Sequence, residues 1–134
     1  GILEISDVHA SDQGVYICKI FVDPSQTSLA SLKFRTLVYV EQAPKFAHSH
    51  VMLRARASES VELPCRPDEG KPSPETRWLF NGAPVGSRKL PQGVAVSGTS
   101  LNLSRISHRR HEGVYQCVAE NKHGTDIVTY YVSV

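Results

Sequence analysis

Apolar and polar positions alternate with a period of two along much of this chain. Short runs rich in Val, Ile, Leu, Tyr and Phe recur: VYICKIFV (15–22), SLKFRTLVYV (31–40), ESVELPC (59–65), TRWLF (76–80), SLNLS (100–104), GVYQCVA (113–119) and DIVTYYVSV (126–134). Clusters of Gly, Pro, Asn and Ser bound these runs, a pattern that predicts the strands of an antiparallel sandwich. No stretch repeats its apolar residues at helical spacing long enough to predict a sizeable helix. Asn81-Gly82 follows the run that ends at Phe80. It predicts a tight hairpin, because both residues tolerate the positive φ such a turn demands.

The pattern also repeats. LEISDVHASDQGVYIC (3–18) returns as LNLSRISHRRHEGVYQC (101–117). Each copy opens on two apolar positions that strand alternation points inward, Leu3 and Ile5 or Leu101 and Leu103. A polar corner, a Gly, a Tyr and a Cys follow. Alternation puts Val15 and Ile17, like Val114 and Gln116, on one face, and Tyr16 and Cys18, like Tyr115 and Cys117, on the other. A core Tyr needs a partner for its hydroxyl, which a corner of exposed carbonyls supplies. The second corner is one residue longer than the first.

These residues carry a resemblance. The D-x-G-x-Y-x-C of Asp12 to Cys18 resembles the strand F signature of the immunoglobulin superfamily, with its tyrosine corner. In the second copy Cys65 in VELPC looks like strand B, Trp78 in RWLF like strand C, and Cys117 like the strand F cysteine. GKPSPETRW and AENKHGT are similar to the strand C approach and the F–G hairpin of the intermediate, or I-set, subtype. The resemblance implies an all-β chain of immunoglobulin-like antiparallel sandwiches. Residues 1–42 would be the C-terminal part of a first domain (strands E, F and G), and residues 43–134 a complete I-set domain. It also implies a Cys65–Cys117 disulfide, with Trp78 and Tyr115 as core residues and Tyr16 as their counterpart in the first copy.

On this reading Cys18 has no partner because the strand that would carry it lies upstream of Gly1. Three strands of a sandwich cannot bury a core of their own. A swapped dimer and a free reactive thiol are the lesser alternatives. His111 stands where the family has its Asp, which usually pairs with a cation near strand D, here Arg88 or Lys89. A weaker or differently built corner is therefore expected. The segment VEQAPKF is expected to be a short, semi-rigid linker, with Phe46 in the second core.

Composition changes this picture little. The chain has 134 residues, 40% hydrophobic and 21% charged, with a formal net charge of +2. That is ordinary globular balance, and it does not point to nucleic acid. No apolar run is long enough to span a membrane. The opening GILEIS lacks the features of a secretory signal, as expected of a fragment.

Catalytic motifs are missing: there is no phosphate-binding Gly-rich loop, no G-x-S-x-G and no HExxH, so no enzyme and no cofactor is expected. His48 and His50, or His108 and His111, form incomplete ligand sets, so no metal site is expected either. Arg105, Arg109 and Arg110, with Arg54 and Arg56 elsewhere, are candidates for a sulfated glycosaminoglycan such as heparan sulfate; the plain alternative is a solvated, charged end. Asn102-Leu103-Ser104 fits the N-glycosylation sequon, with Asn102 pointing away from the core. The long hairpin after Cys18 is the candidate site for a protein partner, with Asp23 and Pro24 at its tip and Ile20 and Phe21 as apolar anchors.

The family resemblance implies an extracellular, cell-surface recognition module that binds another protein, homophilic binding included. The opposing expectation is a spacer repeat of an intracellular muscle filament protein with reduced cysteines.

Overall fold

The computed structural model of the chain describes residues 1–21, 31–86 and 90–134. It comprises two compact units, Gly1–Glu41 and Gln42–Val134.

The first unit contains a 3-10 turn at Ala10–Asp12 and two antiparallel strands, β1 (Gly14–Phe21) and β2 (Ser31–Val38). Their ladder runs unbroken from Gly14 opposite Val38 to Phe21 opposite Ser31. Val15, Ile17, Phe34 and Leu37 are exposed. Cys18 is also exposed and its thiol is free. A two-stranded ribbon has no second layer to cover its faces. Leu3–Ile5 forms no strand, and Ile2 and Leu3 lie in solvent. A strand needs a ladder partner, and the described residues of this unit offer none beside the β1–β2 pair.

The second unit builds a sandwich from β3 (Gln42–Lys45), β4 (His50–Arg54), β5 (Val61–Leu63), β6 (Glu69–Lys71), β7 (Glu75–Phe80), β8 (Ala83–Pro84), β9 (Val94–Ser97), β10 (Ser100–Leu103), α1 (His108–His111), β11 (Gly113–Asn121) and β12 (Gly124–Ser133). One layer is a five-stranded sheet in the order β4-β12-β11-β7-β8; the other is β5-β10-β9. β4 runs parallel to β12, while the other neighbours in these sheets are antiparallel. β3 pairs with β6, so most of the expected linker is strand. Phe46, just beyond it, is buried in the core of this unit.

The core follows from strand alternation. Leu63, Leu101 and Leu103 from one sheet face Trp78, Tyr115, Cys117, Val128 and Val132 from the other. The Cys65–Cys117 disulfide ties the layers together, with the two Cα atoms 6.1 Å apart. Trp78 lies directly opposite Cys117 in the ladder and is buried; its indole N–H donates to the Thr99 carbonyl at 3.0 Å. The Asn81-Gly82 turn joins β7 to β8 with both residues at positive φ, 47° and 81°. This is the two-residue geometry whose twist matches its strands.

Candidate functional site

Three surfaces of the second unit collect the residues that could bind. The first is the corner between β10 and β11. His111 is fully buried there. Its Nδ1 accepts the Ser107 N–H at 2.9 Å, so the ring proton sits on Nε2, which donates to the Gln92 carbonyl at 2.8 Å. The Tyr115 hydroxyl donates to the His111 carbonyl at 2.7 Å. The first unit repeats this plan: the Tyr16 hydroxyl donates to the Asp12 carbonyl, and Asp12 accepts the His9 N–H at 2.8 Å. His111 therefore makes a differently built corner, bonded to backbone on both sides. Arg88 and Lys89 lie outside the described residues.

Around this buried bolt the surface is basic. Arg105, Arg109 and Arg110 are all exposed, and Arg110 donates to the Gln92 side chain at 3.2 Å. His108 pairs with Glu112 at 2.8 Å. The Glu112 carboxylate also accepts the Val134 N–H at 3.0 Å. That backbone bond, and His108 after it, hold the carboxyl below its usual range against partial burial.

The second surface is the outer face of the five-stranded sheet. Strand alternation turns Met52, Tyr131 and Val114 outward, and the register sets them side by side in one row across β4, β12 and β11. Met52 is 81% exposed and Tyr131 38%. His50 stacks on the Tyr131 ring with centroids 5.9 Å apart. A shallow groove of about 330 Å³ follows this row, with Arg54 and Glu112 among its walls. Periodicity in the sequence gives each residue its face, but only the parallel pairing of β4 with β12 aligns Met52 with Tyr131.

The third surface carries the sequon. Asn102 is exposed on β10 between Glu62 and Ala95, both also exposed, so this outer face is open.

The remaining candidate residues fall elsewhere. Ile20 is exposed near the end of β1, and Phe21 closes that strand. Asp23 and Pro24, at the expected partner loop, lie outside the described residues. His48 is exposed, apart from the His50–Tyr131 stack. Among the described residues no three His, Cys, Asp or Glu side chains gather into a metal-binding group. No helix there is long and apolar enough to cross a membrane.

Residues 44–121 match the family model described as the immunoglobulin domain. The chain is 35% identical over 132 residues to neural cell adhesion molecule L1.1 of Danio rerio, covering 98% of this chain and 10% of that protein. It is 32% identical over 124 residues to contactin-5 of Gallus gallus, covering 92% of this chain and 11% of that protein. Among solved structures, the insect immune protein hemolin superposes with a TM-score of 0.61 at 25% identity, over 94% of this chain and 30% of that one. The chain thus spans about a tenth of the length of these curated relatives.

Proposed function

The chain belongs to the immunoglobulin superfamily, and from that premise we propose that it is a recognition module in the extracellular part of a cell-surface adhesion molecule or receptor. Immunoglobulin domains and these adhesion-molecule relatives are non-enzymatic, and so is this chain. Residues 1–42 read as the end of a first immunoglobulin-like domain and residues 43–134 as a complete I-set domain. The disulfide and the exposed sequon at Asn102 support an oxidising, extracellular setting.

The observation that carries protein recognition is the Met52–Tyr131–Val114 row. A large thioether and a phenol lie open on a flat sheet face, with Arg54 and Glu112 at the margin. Aromatic and Met side chains are enriched where proteins dock, with charges at the rim. The partner is a protein at the cell surface. A second copy of the chain is one candidate, since the hemolin structure is described as having implications for homophilic adhesion.

Beads coated with the 134-residue chain test this. Wild-type beads are expected to cluster with one another or to bind neural cells. The Met52→Glu, Tyr131→Glu double variant is expected to lose that binding with an unchanged melting temperature. Binding that survives in the variant would move the site off this face; wild-type beads that bind neither would defeat the recognition reading. The opposing reading, an intracellular filament spacer, requires Cys65 and Cys117 as free thiols in the native protein.

A further inference from the structure

We infer that the end of the second unit, where β4 and β12 finish, is a binding surface for a sulfated glycosaminoglycan, assembled from two segments that are distant in sequence. It adjoins the sheet face at Arg54 but does not use Met52, Tyr131 or Val114.

The assembly starts at Ala55. This residue is buried, and its N–H donates to the Ser133 carbonyl at 2.8 Å. Alternation then turns Arg54 and Arg56 outward on either side, and both are exposed. The chain bends through Ser58, at φ 71°. The Ser58 N–H donates to the Ile106 carbonyl at 2.8 Å, and the Ile106 N–H donates to the Glu59 carbonyl at 3.0 Å. These two bonds lace the loop after β4 to the corner after β10. Ile106 is buried at the seam, while Arg105 before it, at φ 50°, is exposed. Beyond the seam α1 presents Arg109 and Arg110, because the buried His111 anchors that turn. Five guanidinium groups thus share one end of the sandwich.

Their charge is only partly offset, since the carboxylates beside them, Glu59 and Glu112, are fewer than the arginines. The ion pairs Arg77–Glu120 and His108–Glu112 do not engage these five arginines. Of the carboxylates nearby, Glu59 accepts the Arg56 backbone N–H at 3.2 Å, and Glu112 is held by Val134 and His108. The partner of Arg110, Gln92, is neutral. An open surface with several separate, exposed cations suits a linear polyanion better than a small anion, which needs an enclosing pocket. Guanidinium groups donate two parallel N–H bonds that match sulfate oxygens, and a lysine offers no such fork.

The test elutes the whole chain with NaCl from immobilised heparin and from a plain sulfonate cation-exchanger. Wild type is expected to hold heparin to higher salt than the sulfonate resin. Arg54→Ala with Arg56→Ala, and separately Arg109→Ala with Arg110→Ala, are each expected to weaken heparin binding on the order of tenfold at fixed salt. Changing all five arginines to Lys keeps the charge. It is expected to weaken heparin binding at unchanged net charge, because each sulfate loses its two-pronged donor. All five side chains are exposed, so the melting temperature should hold throughout. Three results would overturn the inference: loss from only one of the two pairs, equal salt on both resins, or displacement by oligo-dT as effective as by heparan sulfate.

Discussion

The backbone N–H of Ser107 donates to Nδ1 of His111 at 2.9 Å. In the first unit the same bond runs from the His9 N–H to the Asp12 carboxylate at 2.8 Å. Two different side chains thus close one kind of corner. The extra residue of the second copy turns the 3-10 turn Ala10–Asp12 into the α-turn His108–His111, and the closing bond spans four residues instead of three. An imidazole has a second nitrogen on its far side. That nitrogen reaches the Gln92 carbonyl and fastens the segment ahead of β9.

His111→Asp, which copies the residue of the first unit, should therefore destabilise the chain. The carboxylate could still accept the Ser107 N–H. It would also face the Gln92 carbonyl with no proton to give, as a buried charge. We expect a loss of about 3 kcal/mol in urea unfolding at neutral pH. A midpoint equal to that of wild type would show that the Gln92 bond contributes nothing.

Burial raises the phenol of Tyr115 above its ordinary value, and that of Tyr130 likewise. Both hydroxyls donate to backbone carbonyls, of His111 and Pro64. The unfolded chain releases these protons near pH ~10, and the folded chain holds them. The stability they contribute is full below that pH and declines as the pH rises above it. From neutral pH the urea midpoint should be flat up to about pH 9.5 and then fall, with Tyr115→Phe lessening the decline and costing about 1–2 kcal/mol at neutral pH. A tyrosinate absorbance titration that reached completion before unfolding would contradict the buried corner.

The cysteines should separate by reactivity. Maleimide on the native chain is expected to label Cys18 alone, because its thiol is exposed and Cys65 and Cys117 are bonded and buried. Replacing Cys65 and Cys117 by Ala should cost about 4 kcal/mol, the loop-entropy value for a closed segment of this length. Mass spectrometry that finds the label on Cys65 in native protein would reverse the extracellular assignment.

How much was legible in the sequence differs from element to element. β7, β10, β11 and β12 announce themselves by alternation, and the Asn81-Gly82 turn by its residue types. β3, β6 and β8 are short edge segments, and β8 contains Pro84. Their period is too brief to register, and they exist because a neighbouring strand offers them a ladder. Leu3 and Ile5 show the reverse case: the alternation is present but no strand forms, because alternation describes a face and not its neighbour. The candidate surfaces follow the same rule. The two arginine groups could each be seen in the sequence, but nothing there links residue 56 to residue 105.

Local order was enough to determine the sandwich class, the inward residues, the tight turn and the repeated Tyr corner, because each depends on residues a few positions apart. The three-dimensional packing alone decided that His111 joins the Ser107 corner to the turn at Gln92, that Met52 lies beside Tyr131, and that the arginines share one end. Each of these depends on which distant segments meet. Chain entropy opposes such meetings, and only burial of the shared core, fastened by the Cys65–Cys117 bond, makes them hold.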